Sequence, residues 1–279
     1  MHISVFRKHK KNAGDWHSVP ARFLPLKGQE TFDLAAPETI PNEAGTIVLG
    51  GGGLGRPDFE PFLNALMRPD RKYQVIAWGV GADSVTKKKE ILSEPTDMER
   101  LSSYFEDMDD VGTRIDFADS PLKNNFCWVP CASCLSPLFD SLRDIPTKRK
   151  IGVYEHLRES VVQHLPRKSR ITNRLFEGIG FGSNRGSDLE EKLRFLAESE
   201  YVFTNSYHGV YWATLLDRKV VCFPFKNGLF SFRHRPAYFH GQSVQDALDA
   251  ARTYPDALDE CRQANLEFYD RMKQKYGDF

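Results

Sequence analysis

Neither sign of charge is in excess in this sequence: Lys plus Arg and Asp plus Glu stand at 38 each, for a formal net charge of zero. The attraction that drives nonspecific binding to nucleic acid or anionic lipid is therefore missing, and neither is expected as a partner. Long apolar runs are missing too. Nothing approaches the ~18 uninterrupted apolar residues of a membrane span, and "MHISVFRKHKKNAGDW" is basic without the apolar stretch of a secretory leader. The expectation is a cytoplasmic protein with no integral membrane association. Cysteine is scarce: five in 279 residues, an odd number that argues against a disulfide framework. Three of them, Cys127, Cys131 and Cys134, form C-x3-C-x2-C in "CWVPCASC". With no fourth Cys or His following at zinc-like spacing, they read as small buried packing residues, and no metal is expected. Internal repeats and low-complexity tracts are absent.

What is present is a folding composition, 41% hydrophobic and 12% aromatic. Short apolar runs alternate with helical patterns. "HISVF" reads as a first strand followed by a loop "NAGDW", with a helix beginning near His17. Thr46 to Leu49 reads as a buried strand running into a glycine turn, and "PDFEPFLNALM" as a helix with Pro57 in its first turn. "YQVIAWGVGA" repeats the strand-to-glycine pattern, and further strands are expected at Thr113 to Asp116 and Phe126 to Pro130. After the charged stretch "SLRDIPTKRK" a second series begins: strand "KIGVYEH", helix "SDLEEKLRFLAESE", strand "YVFTN", helix "YHGVYWATLLD" and strand "KVVCFPF". Two helical stretches interrupted at Pro255 follow. Strands alternating with helices imply parallel sheets, because parallel strands need crossover connections. The fold class is α/β, two Rossmann-like units in series. The expected organisation is an N-terminal domain over 1–145, a C-terminal domain over 150–242, and helices over 243–279 packing back on the first.

In parallel α/β sheets ligands sit beyond the carboxyl ends of strands, so residues directly after strands are the informative ones. Gly50, Gly52 and Gly55 match G-x-G-x-x-G, yet Trp78 and Gly79 stand where a dinucleotide site needs its acidic residue, and Asp83 lies beyond a further turn. The glycines then serve positive φ and close packing, or a backbone cradle around Gly51, Gly52, Gly53 and Gly79 for sugar oxygens or an anion. Asp15 is either a turn residue or a carboxylate aimed at sugar hydroxyls or proton transfer. In "TNSYHG", Asn205 or Ser206 caps a helix starting near Tyr207, and the free amides with the helix dipole suit a small anion. His208, in that first turn, is either a core histidine or a group that neutralises an anion and moves a proton. Arg158 follows a strand, while Lys226, Arg233, His234 and Arg235 form a basic loop that is either solvated or faces the same cleft.

Taken in order, "NAGDW", "VLGGGGLG", "WGVGA", "WVPCASCLSP", "SDLEEKL…AESEYVFTNSYHGVYWATLLDRKVV" and "FPFKNGLFSFRHRP" resemble the polysaccharide pyruvyl transferase family over roughly Asn12 to Pro236. The resemblance implies a GT-B-like shape, two Rossmann-like domains facing across a cleft. It implies transfer of a pyruvyl group from phosphoenolpyruvate to hydroxyls of a sugar or glycan, with phosphoenolpyruvate as co-substrate and no cofactor. His208 corresponds to the family's catalytic histidine and Arg158 to a donor-binding arginine. Asn205, Ser206, Lys226 and Arg233 are expected to complete the donor site, with Asp15 as base. Many members carry an arginine close before the histidine, where this chain has "NSYH". The alternatives are a GT-B glycosyltransferase using a nucleotide sugar and a non-catalytic glycan-binding relative.

Overall fold

The computed structural model describes residues 2–26, 30–82, 103–116, 126–156, 160–161, 163 and 178–277. Two all-parallel sheets form in series. The first is built from β1 (His2–Phe6), β2 (Glu30–Asp33), β3 (Thr46–Gly55), β4 (Gln74–Ala82), β5 (Asp110–Thr113) and β6 (Cys127–Trp128), in the order β2-β1-β3-β4-β5-β6. The second holds β7 (Arg149–Glu155), β8 (Ile179–Ser183), β9 (Ser199–Thr204), β10 (Lys219–Cys222) and β11 (Ala237–Tyr238), ordered β11-β10-β9-β7-β8. Each sheet therefore reverses its strand order once, between β1 and β3 in the first and between β7 and β9 in the second. Such reversals open a crevice at the carboxyl ends of the two strands, where ligands bind in open α/β sheets.

Successive side chains on a strand point to opposite faces, and a parallel sheet with both faces covered is apolar on each. Ile47, Leu49, Val75 and Ala77 join one layer with Ile3, Val5 and Leu63, while their neighbours Val48, Ile76 and Trp78 join the other with Val129, Phe268 and Met272. The helices with defined ends are α1 (Ala13–Trp16), α2 (Glu60–Leu66), α3 (Leu138–Leu142), α4 (Leu189–Ala197), α5 (Tyr207–Leu215), α6 (Val244–Ala250) and α7 (Ala257–Tyr276). Leu189, Leu193 and Leu196 share one buried face of α4, whose start is capped by Asp188 accepting from Glu191 N. All nine residues of α5 are buried, as an all-round apolar pattern requires.

Several boundaries differ from the sequence expectation. The glycine run is not a turn: β3 and β4 continue through it, pairing Gly50 with Trp78, Gly52 with Val80 and Gly53 with Gly81. The reason is steric. A Cβ on Gly51 would lie 2.7 Å from Gly79 O, so only glycine lets these backbones approach this closely. "AGDW" is helical rather than a loop, and its helix ends at His17 instead of beginning there. Helix α2 starts at Glu60, with Pro61 rather than Pro57 in its first turn. The strands expected at Thr113–Asp116 and Phe126–Pro130 are β5 and β6, shifted or shortened.

Helix α7 ties the two sheets together. Its Asn265 is fully buried, accepts from Trp78 Nε1 at 2.9 Å, and donates to Pro130 O at 3.2 Å and Cys261 O at 2.9 Å. Phe268 meets Trp78 edge to face, ring centroids 4.7 Å apart. One turn earlier, Ala257, Leu258 and Cys261 pack in the layer that contains Val210, Tyr211 and Trp212 of α5. Asn265→Ala strands the Trp78 indole N–H in an apolar layer, and urea denaturation should show a loss of at least about 2 kcal/mol.

Candidate active site

The two strand-order reversals face each other, and the loops that leave them meet. After β1, Asn12 caps α1: its Oδ1 accepts from Gly14 N at 3.1 Å while its Nδ2 donates to Asp15 Oδ2 at 2.7 Å. The same Oδ1 accepts from Asn184 Nδ2 at 3.1 Å, and Ala13 N donates to Asn184 O at 2.9 Å, so the loop after β8 is fastened to the loop after β1. His17 Nε2 lies 2.7 Å from Ser187 O. Within the first sheet Ser18 bonds Gly51 twice, through Oγ to Gly51 O at 3.1 Å and through O from Gly51 N at 3.2 Å. Within the second, His156 N donates to Asn205 Oδ1 at 2.7 Å, joining the loops after β7 and β9.

Helix α5 opens as the sequence indicates, with Ser206 as N-cap accepting from Gly209 N at 3.4 Å. The amides of Tyr207 and His208 fall among the first-turn groups that have no intrahelical acceptor, and they carry the positive end of the dipole. The His208 imidazole is 6% exposed. It is held from the first sheet's side: Cys131 Sγ is 3.5 Å from Nε2, and Gly14 lies so close that a Cβ there would overlap Nδ1. Trp212, one turn on, packs its ring 4.8 Å from the imidazole centroid and donates its indole N–H to Ser133 Oγ at 2.9 Å.

Burial, reinforced by the charge of Arg114, lowers the His208 pKa from 6.5 to about 3, against the pull of Asp15. The imidazole is thus neutral at pH 7. Asp15 is also lowered, for a different reason. Burial would raise its pKa, but the neighbouring His9 and the charge of Lys226 outweigh it and hold the carboxylate ionised. Its side chain keeps 29% exposure, and His9 Nδ1 stands 3.9 Å from Oδ2. A carboxylate and an imidazole, one from each sheet, therefore share a site with Lys226.

The other expected residues fall in different places. Asn205 and Ser206 are at the start of α5, buried, one linking loops and one capping. Gly52, at φ 108°, borders Asp15: a Cβ there would sit 3.7 Å from Oδ1. Gly51, Gly53 and Gly79 lie in or beside the paired strands, and the Gly51 N–H is spent on Ser18. Arg233 is drawn aside, stacked 3.6 Å over Trp128 and 3.5 Å from Asp116. It lines the rim of a small pocket that also contains Tyr207, Phe232 and Arg114. Arg158 lies outside the described residues. Among the described residues, no group of three His, Cys, Asp or Glu side chains is arranged to hold a metal ion. Cys131 and Cys134 are buried, and burial pushes the Cys134 thiol up to about 12.

A family model for polysaccharide pyruvyl transferase matches residues 8–227, a span that includes Asp15, His208 and Lys226. The chain belongs to the polysaccharide pyruvyl transferase family. Membership makes it a transferase of polysaccharide biosynthesis. No curated protein sequence matches it. Among solved structures it is similar to a protein described as a UDP-N-acetylglucosamine 2-epimerase from Listeria monocytogenes, at 11% identity and TM-score 0.55, covering 100% of this chain and 96% of that one. It also aligns with a variant of the wall teichoic acid polymerase TagF, at 11% identity and TM-score 0.40, over 99% of this chain and 87% of that one. The first likeness agrees with the two facing parallel sheets: the chain has a GT-B-like fold. No helix among the described residues is long and apolar enough to cross a membrane.

Sequence reasoning missed Asn12, Gly14, Asn184, Arg114 and the Cys131 contact, all of which act across the two sheets. Only the N-x-x-D spacing of Asn12 and Asp15 gave a local signal, that of a helix cap. Two measurements check the packing. Gly14→Ala forces a methyl group against His208 and should cost about 1–3 kcal/mol of stability, with a displaced His208 ring resonance in NMR spectra. Because His208 is neutral when folded but titrates near 6.5 when unfolded, its contribution is complete above 6.5 and is lost as pH falls toward 3. His208→Asn should therefore show a shallower fall in urea midpoint across that window than the wild type.

Proposed function

We propose that this protein transfers the pyruvyl group of phosphoenolpyruvate onto two hydroxyls of a sugar residue in a glycan or glycan precursor, forming a ketal and releasing phosphate. The observation that carries the reading is His208 at the start of α5, pressed against the first sheet's Gly14 and Cys131 with Asp15 and Lys226 in its electrostatic field. The donor bears a phosphate and a carboxylate, which match helix amides and lysine. The acceptor presents hydroxyls, which match Asp15. Asn184 Oδ1, buried beside Asn12 without a partner among the described residues, offers a further acceptor for such a hydroxyl.

The empty site keeps His208 neutral, so the donor must supply the charge that makes it an acid. Two anionic groups brought beside the ring raise its pKa, and it takes up a proton as the donor binds. The imidazolium then delivers that proton to the methylene carbon, leaving C2 with oxocarbenium character. The first sugar hydroxyl adds to C2 as Asp15 takes its proton. Phosphate leaves, the second hydroxyl closes the ketal, and its proton departs with the phosphate. The proton held by Asp15 balances the one given by His208. We assign the donor to the 150–242 domain and the acceptor to the 1–145 domain, with 243–279 returning to the latter. Because phosphoenolpyruvate is an intracellular metabolite, the reading carries a cytoplasmic location.

Supplying phosphoenolpyruvate with a panel of glycosides, and following inorganic phosphate and product mass, tests the assignment. Ketal formation supports it. Turnover only with a nucleotide sugar would establish the glycosyltransferase alternative, and glycan binding without turnover the non-catalytic one. His208→Asn should abolish transfer in a folded protein. Calorimetry of phosphoenolpyruvate binding at pH 7, in buffers of different ionisation enthalpy, should report proton uptake by the wild type and much less by His208→Asn.

A further inference from the structure

Asn184 directly follows β8 at the carboxyl end of the second sheet and is only 2% exposed. Its main chain is tied on both sides: N donates to Glu155 O at 3.2 Å within its own lobe, and O accepts from Ala13 N of the other lobe at 2.9 Å. Next to it Arg185 forms an antiparallel bridge with Asn12, and Gly186 N donates to Lys11 O at 3.1 Å. The loop after β8 thus runs as a short ladder against the loop after β1. Asn184 has a fixed place in it.

Its side chain is fixed as well. A backbone N–H can only donate and an ionised carboxylate can only accept. Asn12, set between Gly14 N at 3.1 Å and Asp15 Oδ2 at 2.7 Å, must therefore turn Oδ1 to the first and Nδ2 to the second. Asn184 meets that same Oδ1 at 3.1 Å and has to present Nδ2 to it; turned round, its amide would set two carbonyl oxygens against each other. Asn184 Oδ1 is left at the opposite end of the amide, buried and without a hydrogen-bond partner among the described residues. By contrast, the buried Asn265 uses both ends of its amide, and Asn205 Oδ1 accepts from His156 N. A buried carbonyl oxygen without a donor is costly, and this one calls for a donor that its surroundings do not supply.

The donor it calls for carries no negative charge, because Asn12 holds the ionised Asp15 on its other flank. Neither Asn184 Oδ1 nor that carboxylate can donate, so an anion is repelled and a neutral molecule with several O–H groups is matched. We propose that Asn184 is a specificity-determining residue for the sugar acceptor, its Oδ1 taking a hydrogen bond from a hydroxyl other than the one that gives its proton to Asp15. That this donor is a sugar hydroxyl rests on the function proposed above; the unfilled acceptor does not. The lobe that supplies His208 then also reads the acceptor, which spans both lobes rather than resting on the first alone. Selection is by position: a sugar lacking a hydroxyl at that place leaves the carbonyl buried and unpaired, and is rejected.

The test is NMR titration of the wild type, Asn184→Ala and Asn184→Ser with methyl glycosides of glucose, galactose, mannose and their 2-acetamido counterparts. Each is compared with its monodeoxy analogues, without phosphoenolpyruvate, and thermal melting is recorded alongside. In the wild type, one monodeoxy analogue of a bound glycoside should lose at least about fivefold in affinity, the scale of one hydrogen bond. In Asn184→Ala that discrimination should vanish, parent and analogue binding alike, while discrimination at the remaining hydroxyls persists. Asn184→Ser, whose Oγ takes the place of Asn184 Cγ and stops short of the ligand, gives the same reading if the alanine variant does not fold. Equal discrimination by the wild type and both variants overturns the proposal. So does a uniform loss across parents and analogues, the mark of a tether between loops. A lowered melting temperature with unchanged affinities also overturns it, the mark of a carbonyl satisfied by a buried water, as does a wild type that binds none of the glycosides. Sugar binding through Asn184 with no ketal formed when phosphoenolpyruvate is added leaves the contact standing and removes the transferase reading. Ketal formation without discrimination through Asn184 does the reverse.

Discussion

The architecture turns on the absence of one methyl group. Gly14 at the start of α1 has no Cβ, and the His208 ring occupies the space it leaves. Everything that defines the site follows from that contact. It brings the strand-order reversal of the first sheet against that of the second, so that groups from both can act on one molecule. It also strips the imidazole of water, which sets the ring's charge. The Asn12 and Asn184 bonds and the Tyr211 hydroxyl on Cys131 O at 2.8 Å hold the approach in register.

That contact gives the two carboxyl-end crevices unlike electrostatics. On the first sheet's side, Asp15 remains ionised because His9 and Lys226 outweigh its burial; on the second, His208 remains neutral because burial and Arg114 oppose its charge. Both groups are shifted downward, and the result is a neutral imidazole beside an ionised carboxylate. Both sides contribute: burial and Arg114 of the first sheet act on His208, while His9 on its own side and Lys226 on the other act on Asp15.

Much of the scaffold could be read from the sequence because its signals are local. The start of α5 was legible at Ser206, where a capping hydroxyl precedes an apolar helix, and the parallel sheets were legible in short apolar strands between helical patterns. The glycine run misled for a physical reason: glycine marks a turn and a close backbone approach alike, and only the neighbouring strand decides between them. Residues 50–55 meet a second glycine-rich strand, and the approach prevails. Asp15 could be noted but not placed, since its ionisation depends on His208 and Lys226, nearly two hundred residues or more along the chain. Arg114 carried no signal at all. A basic residue after a strand is ordinary, and what distinguishes this one is its stacking on the Tyr207 ring of the other sheet's helix, which exists only in three dimensions.

Helix α7 covers Trp78 on the first sheet with Phe268 and Met272, and completes the layer over α5 with Ala257, Leu258 and Cys261. During synthesis, both halves must therefore wait for the same late segment. Without it, each half leaves part of its apolar layer uncovered. The same helix thus closes an apolar layer in each lobe.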